Sequence, residues 1–500
     1  MLAALVWDNP LFIKHTRASL RTPQILPAMI GVALVAVCLC YFGIMQHQAA
    51  EMLGCLIAGQ GVLLLLLGSS KVISSVTQAR DSGVLDFHRI SPQSPAALTL
   101  GFLLGGPIRE YLLFACTLPF SVVLAIQAHL SGPDWLTIEC ELLVVALLYH
   151  TMAMIVGLSM PTKSANSVIA LYFFLHVMAQ IIPVVSYLTV LPTVITAMTR
   201  TSAFPMFSEW GWFMGVQLSP FVVSLLHQLP LLAFLFVAAM RKTRRPLAPP
   251  FSKLTAVAFY ATVAVLGLGE VAPHPSSSPW STGMFGIGEI ALLYGLALAG
   301  VCLCFTITPS AGEFLKGLRQ ARKLGQSRLS VWSDLAANET ALALLALVCA
   351  LGGAAVALSA GAYGAGPAQV GLAALIGVCA VLFFGAIKQS FELLFRKRNS
   401  PYLGLLVFIV WGLPVLVAVL LMASGLEEGA GNTVLALSPI TALGLICSQS
   451  TPPSAATLGL AVSVILAVAA VAFDSWAIRR TIAAESAEGG DPAAAEDAAT

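Results

Sequence analysis

Charge is what this chain has least of. Asp, Glu, Lys and Arg make up 10% of its 500 residues and hydrophobic residues 58%, whereas soluble domains carry about 25% charged residues. A water-soluble fold is thereby excluded. The sequence has no G-x-x-x-x-G-K-[ST] phosphate loop, no H-E-x-x-H and no G-x-S-x-G. ATP hydrolysis, zinc-peptidase and serine-hydrolase chemistry therefore have no recognisable site in it, and no paired-Asp motif at an interface suggests glycosyl transfer. Ten cysteines are scattered through apolar stretches, for example Cys38, Cys55, Cys116, Cys349 and Cys447, and none forms a plausible pair on an exposed outer loop, so disulfides are not expected. Cys38-x-Cys40 and Cys302-x-Cys304 have a metal-like spacing, but residues two apart on a helix face different directions, and packing is the expected role.

What is present is a succession of long apolar runs: residues 25–45, 52–69, 111–129, 138–160, 168–191, 219–240, 254–271, 286–307, 341–360, 370–387, 403–423 and 455–472. Each is close to the ~20 residues that cross a ~30 Å hydrocarbon core as a helix. None alternates as barrel strands do, so an all-α polytopic membrane bundle of about twelve spans is expected. Lys14, Arg17 and Arg21 precede the first run, which has no small-residue cleavage site, so a cleaved signal peptide is not expected. With the N-terminus inside, Arg200 alone of the 25 Lys and Arg residues falls on the outer face. That bias predicts an inner-membrane protein with both termini cytoplasmic. The net charge of +2 implies no nucleic-acid partner, because the basic residues hug the membrane surface.

The chain reads as two six-span halves, residues 1–245 and 246–480, joined by the basic, Pro-rich stretch 241–250. A disordered acidic tail is expected over 481–500. Each half places its longest cytoplasmic loop after its second span, at 71–95 and 308–339, and Leu218-Ser219-Pro220 and Leu437-Ser438-Pro439 echo one another late in each half. This points to a parallel duplication. The outer loop 192–215, with Phe204, Phe207, Trp210 and Trp212, is either a short interfacial helix or re-entrant turn, or a plain aromatic-belt loop. Ionisable residues within the spans are Glu139, Glu141, His150, His176, His227 and Glu289. The three glutamates lie within about a turn of predicted span ends, where interfacial water favours solvation over a proton relay. Gly101-x-x-x-Gly105 and Gly352-Gly353-Ala354-Ala355 suit close helix approach.

The segment 77–111 holds Arg80, Asp81 and Arg89 beside Val84, Leu85 and Phe87, as a short surface helix with one face free for a partner would. Its Ala79-Arg80-Asp81-Ser82-Gly83-Val84-Leu85, then Ser91-Pro92, then Gly101 resemble the loop after the second span in membrane subunits of ABC-2-type ATP-binding-cassette exporters, E-R-E-x-G-T-L followed by Ser/Thr-Pro and Gly-Lys. Ala79, Val84 and Phe102 depart from that pattern. Asn9-Pro10 through Lys14-His15-Thr16-Arg17 is similar to the family's opening N-P-x-x-x-K-E-x-R, with His15 in place of Glu. In the second half the equivalent loop is carried by Thr308-Pro309, Glu313-Phe314, Arg319, Arg322 and Trp332-Ser333-Asp334.

The resemblance implies an exporter permease that is not itself an enzyme and holds no cofactor. Two copies of a separate ABC ATPase would bind ATP and dock on Arg80, Asp81, Gly83 and Leu85 and on Arg319, Arg322, Trp332 and Asp334. An ion-coupled secondary transporter is the other reading of twelve spans in two halves. It is disfavoured because the loop 71–95 is too long for that architecture and a deeply buried carboxylate is not expected. In a cysteine-free background, a cysteine replacing Ser202 should react with an impermeant label from outside and one replacing Ser327 should not. The reverse pattern would overturn the topology.

Overall fold

The computed structural model describes residues 8–90, 93–161, 164–170, 193–194, 212–246, 248–271, 279–326, 329–360, 367–395, 399–424, 428–447 and 453–488. The chain divides into two compact units, Met1–Pro250 and Phe251–Thr500. It is all-α apart from a two-residue ladder, and eleven helices among the described residues are long and apolar enough to cross a membrane. These match eleven of the twelve predicted segments. The remaining one, 168–191, lies almost wholly outside the described residues, as do His176 and Arg200. The protein is a multi-pass membrane helix bundle.

In the first unit, α1 (Pro10–Ser19) begins at Asn9, whose Oδ1 accepts from the amides of Leu11 at 3.0 Å and Phe12 at 3.5 Å. The following elements are α2 (Thr22–Met45), α3 (Ala49–Asp81), α4 (Val84–Ile90), α5 (Pro95–Gly105), α6 (Ile108–Gln127), α7 (Gly132–Ser159) and, after a hairpin, α8 (Pro220–Arg244). Two of the helix connections turn on His47 (φ 54°) and His129 (φ 55°). Each histidine ends its helix in the left-handed conformation, with Gln48 N–H donating to Gly43 O and Leu130 N–H to Ala125 O, both at 2.9 Å. The expected outer-loop helix or re-entrant turn over 192–215 meets, at its described end, β1 (Trp212–Phe213) paired antiparallel with β2 (Val216–Gln217). Met214 and Gly215, both at positive φ, make the turn that suits a tight hairpin.

The cytoplasmic loop expected at 71–95 is mostly helix. At 33 residues α3 spans about 50 Å, well beyond the ~30 Å hydrocarbon thickness. Its far end stays helical because Val72, Ile73 and Val76 are buried against Ala153, Met154 and Leu158 of α7. Gly157 permits that approach, since a Cβ there would lie 3.3 Å from Ile73 Cα.

The second unit comprises α9 (Lys253–Val271), α10 (Pro279–Ile307), α11 (Ala311–Lys323), α12 (Glu339–Ala360) and α13 (Pro367–Phe395). It continues with α14 (Asn399–Val407), which passes through a π-helical turn into α15 (Leu413–Ala423), then α16 (Glu428–Leu435), α17 (Pro439–Cys447) and α18 (Pro453–Glu488). α13 is the most buried span of its unit, whereas α2 in the first unit leaves most of its apolar side chains exposed, as a lipid-facing helix does. The acidic tail is corrected at its start. Residues 481–488 belong to α18, because Glu485 is buried and ion-paired with Arg319 rather than solvated. Residues 489–500 lie outside the described ones.

Gly101 and Gly105 do bring helices together, and the helices are α5 and α1. A Cβ on Gly101 would lie 2.8 Å from Leu11 Cβ and 3.0 Å from Asn9 Oδ1, and one on Gly105 3.2 Å from Phe12 Cα. Asn9 Nδ2 completes the seam by donating to Ala97 O at 2.5 Å. Gly101→Val should therefore lower unfolding stability in detergent by about 1–3 kcal/mol, the usual cost of overpacking. Gly31→Val, where a Cβ meets nothing within 4 Å, should be close to neutral. Equal effects would refute the seam.

Candidate functional site

Arg80 lies in the last turn of α3, and its guanidinium Nη1 donates to Gly157 O at 2.9 Å and Met160 O at 3.0 Å, the carbonyl end of α7. Its Nε donates to the exposed Asp81 at 2.9 Å. A cation at a helix C-terminus meets both unsatisfied carbonyls and the negative end of the dipole. Three residues after Arg80, Gly83 adopts φ +75° and ends α3. Its own carbonyl accepts from Asp86 N at 3.1 Å and Phe87 N at 3.3 Å, which starts α4. A Cβ at Gly83 would meet nothing within 4 Å, so glycine serves the backbone angle here and not the space.

α4 is then clamped directly. Arg89 Nε donates to Thr243 O at the end of α8 at 2.6 Å, and the guanidinium also pairs with Asp86. Leu85, expected as a partner contact, is fully buried in the core formed by α3, α5 and α7. The apolar residues facing outward are Phe87 and Ile90, 66% and 84% exposed. Spacing alone could have found this pair, since positions three apart share a helix face.

The second-unit residues fall in a different arrangement. Ser310 and Glu313 form a capping box that starts α11 independently of α10. Phe314 and Leu318 bury one face of α11 against Leu393 and Ile478. Arg319 Nε bonds Glu485 at 2.7 Å and Arg322 Nη2 bonds Ser486 Oγ at 3.2 Å, so both are engaged with α18. Trp332 and Asp334 sit in the turns after α11, and Trp332 is 41% exposed. The Lys253 ammonium holds those turns by donating to the carbonyls of Val331, Ala336 and Ala337 at 3.2, 2.8 and 2.7 Å.

Inside the first unit lies a polar cluster that the sequence reading placed in interfacial water. Glu139 and Glu141 are buried within the bundle instead. Gln60 Nε2 donates to Thr117 Oγ1 at 2.9 Å and reaches Glu139 at 3.4 Å, while Glu141 accepts from Gln228 at 3.1 Å and from Thr193. The reason is rotational: α7 turns both carboxyl groups toward α3 and α8 rather than toward lipid. The second unit buries Asp474, which accepts from Gln389 at 3.1 Å and Ser390 at 3.2 Å. Gln389 in turn accepts from Asn338 N at 2.6 Å, at the start of α12. The absence of a deeply buried carboxylate, expected from the sequence, is therefore corrected in both units.

One turn-type irregularity accompanies the cluster. Residues Val62–Gly68 of α3 are π-helical, and the carbonyl of Leu64 accepts from His150 Nε2 at 2.9 Å. A carbonyl can only accept, so His150 carries its proton on Nε2 and its Nδ1 accepts from Tyr111 OH at 2.8 Å. Gly68 makes room, since a Cβ there would lie 2.5 Å from His150 Nε2. π-Helical turns often mark functional positions. His227 is buried and bonded to Val223 O at 2.8 Å; the side chain of Glu289 lies outside the described residues.

Among the described residues no group of three His, Cys, Asp or Glu side chains could hold a metal ion. Comparison with family models, with curated proteins and with solved structures yields no match.

His15 gives the α1–α5 seam a pH dependence. The half-buried ring lies 5.7 Å from that of Phe102, and its Nε2 has no hydrogen-bond partner among the described residues. Burial first, then Lys14 and His88, lower its pKa from the usual 6.5. Protonation is thus harder folded than unfolded, and the unfolded chain binds more protons below about pH 6.5. The stabilisation is full above that pH and declines as the pH falls. Thermal unfolding followed from about pH 7.5 to about pH 5 should show a falling midpoint that His15→Gln flattens; an unchanged slope in His15→Gln would assign the acid sensitivity elsewhere.

Proposed function

We propose that the chain is the transmembrane permease subunit of an ATP-driven exporter of the ABC-2 kind, in an inner membrane with both termini cytoplasmic. A separate ABC ATPase, in two copies, would bind ATP, and the chain would hold no nucleotide or cofactor site of its own. The observation that carries this reading is α4. It is seven residues long, held directly to the end of α8 by Arg89 and, through the Gly83 turn, joined to the end of α3 that Arg80 holds to α7, and it turns Phe87 and Ile90 away from its own unit. An element held by a charge-assisted bond to one span and by a short turn to another moves with them. A partner that binds α4 more tightly in one conformation than in another would therefore bias the spans toward that conformation, which is all that coupling requires.

In the second unit α11 and the turn bearing Trp332 supply the corresponding surface. Arg319 and Arg322 act there by holding α11 to α18, and Val331 and Trp332 are exposed apolar residues in the turns after α11. The buried Glu139, Glu141 and Asp474 favour a second reading, an ion-coupled secondary transporter, since carboxyl groups inside a membrane bundle are costly and often belong to ion pathways.

Purified alone, the chain should show no ATP turnover, and it should capture an ABC ATPase encoded in the same cell. Phe87→Ser with Ile90→Ser should weaken that association by on the order of tenfold or more. Gly83→Val should weaken it too, because a β-branched residue resists positive φ, while Gly83→Asn should retain it. Export would fall in step with association at normal membrane levels. Unchanged association in all these variants would remove the coupling role of α4, and gradient-driven transport in liposomes without any ATPase would favour the second reading.

A further inference from the structure

The outer side of α1 remains without a role in the fold. Its inner side, Leu11 and Phe12, is buried on α5. Its outer side forms a shallow groove lined by Pro10, Ile13, Lys14, Arg17, Ala18 and Arg21. Lys14, Arg17 and Arg21 are all exposed, and none takes part in any described ion pair. Lys14 and Arg17, three apart, share a face of α1, and Arg21, just past its end, lines the same groove, so the three cations form one strip. Asp8, ahead of the helix, is the nearest carboxylate in sequence, and it is exposed and in none of those pairs. Such a concentration of like charge is unfavourable without an anion.

The position of the strip indicates which anion. Arg21 is the N-cap of α2, whose apolar span begins at Ile25. Leu26, Ile30 and Leu34 follow at fourfold spacing on an exposed stripe, 50%, 52% and 59% accessible. Arg21 and Leu26 are about 7.5 Å apart along a helix axis, which is about the thickness of one headgroup region. Ile13, 37% exposed, adds an apolar contact beside the cations. A free anion would use the strip and ignore the stripe, whereas an anionic phospholipid uses both. We propose that Lys14, Arg17 and Arg21 form a binding site for the phosphate headgroup of an anionic phospholipid whose acyl chain lies along Leu26, Ile30 and Leu34 of α2. α1 rests on α5 through Gly101 and Gly105, so a lipid bound here holds the seam closed from outside, and its occupancy is read as stability of the first unit.

The test uses the full chain purified in phosphatidylcholine-containing micelles and titrated with phosphatidylglycerol, with additional phosphatidylcholine or with inorganic phosphate. Thermal unfolding and lipid retained after purification are the readouts. Phosphatidylglycerol alone should raise the midpoint. Each basic residue replaced by Gln should increase the phosphatidylglycerol needed by about fivefold, so Lys14→Gln/Arg17→Gln/Arg21→Gln should need on the order of 100-fold more. The charge-keeping variant Lys14→Arg/Arg17→Lys/Arg21→Lys should restore most of the response, and Arg244→Gln/Arg245→Gln, at the end of α8, should leave it intact. The midpoint in phosphatidylcholine alone separates lost binding from lost folding, and the three single substitutions carry the test if the triple variant does not fold. The site is refuted by an unchanged requirement in the Gln variants, by an equal loss in Arg244→Gln/Arg245→Gln, or by inorganic phosphate reproducing the stabilisation.

Discussion

Inside hydrocarbon a polar side chain has no water to turn to, and in each unit that constraint decides which helices are neighbours. Apolar surface gives little direction there, because lipid tails solvate leucine as well as another helix does. Hydrogen bonds between spans supply the direction. Gln60 joins α3 to α6 and α7 through Thr117 and Glu139, Gln228 joins α8 to α7 through Glu141, and Asp474 joins α18 to α13. Rotating any of these helices would leave a polar group inside the bundle without its partner, at a cost of several kcal/mol.

The same demand applies to the backbone at helix ends, and the two units meet it differently. In the first, Arg80 and Arg89 fill the carbonyl ends of α7 and α8, which fastens the end of α3 to one span and α4 to the other. In the second, a capping box starts α11 afresh, and Lys253 gathers three carbonyls of the following turns. Cations that look like a partner's docking surface are therefore largely internal fasteners. The apolar groups that face outward there are Phe87 and Ile90 on α4, and Val331 and Trp332 after α11. Apolar and aromatic residues carry more of the energy at protein interfaces than rim charges do.

The π-helical stretch of α3 belongs with these fastenings. It lets the Leu64 carbonyl bond across to His150, which Tyr111 orients from α6. Three helices meet at one imidazole, and only a glycine at position 68 leaves room for it. Gln60 of the polar cluster and Arg80 of the clamp thus lie on the same helix, α3, whose 33 residues run between them.

Composition and hydropathy were enough for the class. A 500-residue chain with 10% charge has no soluble fold open to it, and eleven of the twelve predicted spans coincide with described helices, because span length is a one-dimensional property of sequence. The turn at Gly83 and the close approach at Gly101 and Gly105 were legible for a similar reason, since glycine signals a local backbone need. The direction in which a side chain faces was not legible. Glu139 and Glu141 lie near a span end in sequence, yet rotation of α7 takes them inward. Leu85 and Ile90 are equally apolar, yet one is buried and the other exposed. Arg319 and Arg322 read as free cations until α18 extends through Glu488 and brings Glu485 and Ser486 to them. Each of these outcomes depends on contacts between residues 80 or more positions apart or on a helix's rotation, and hydropathy along the chain carries neither.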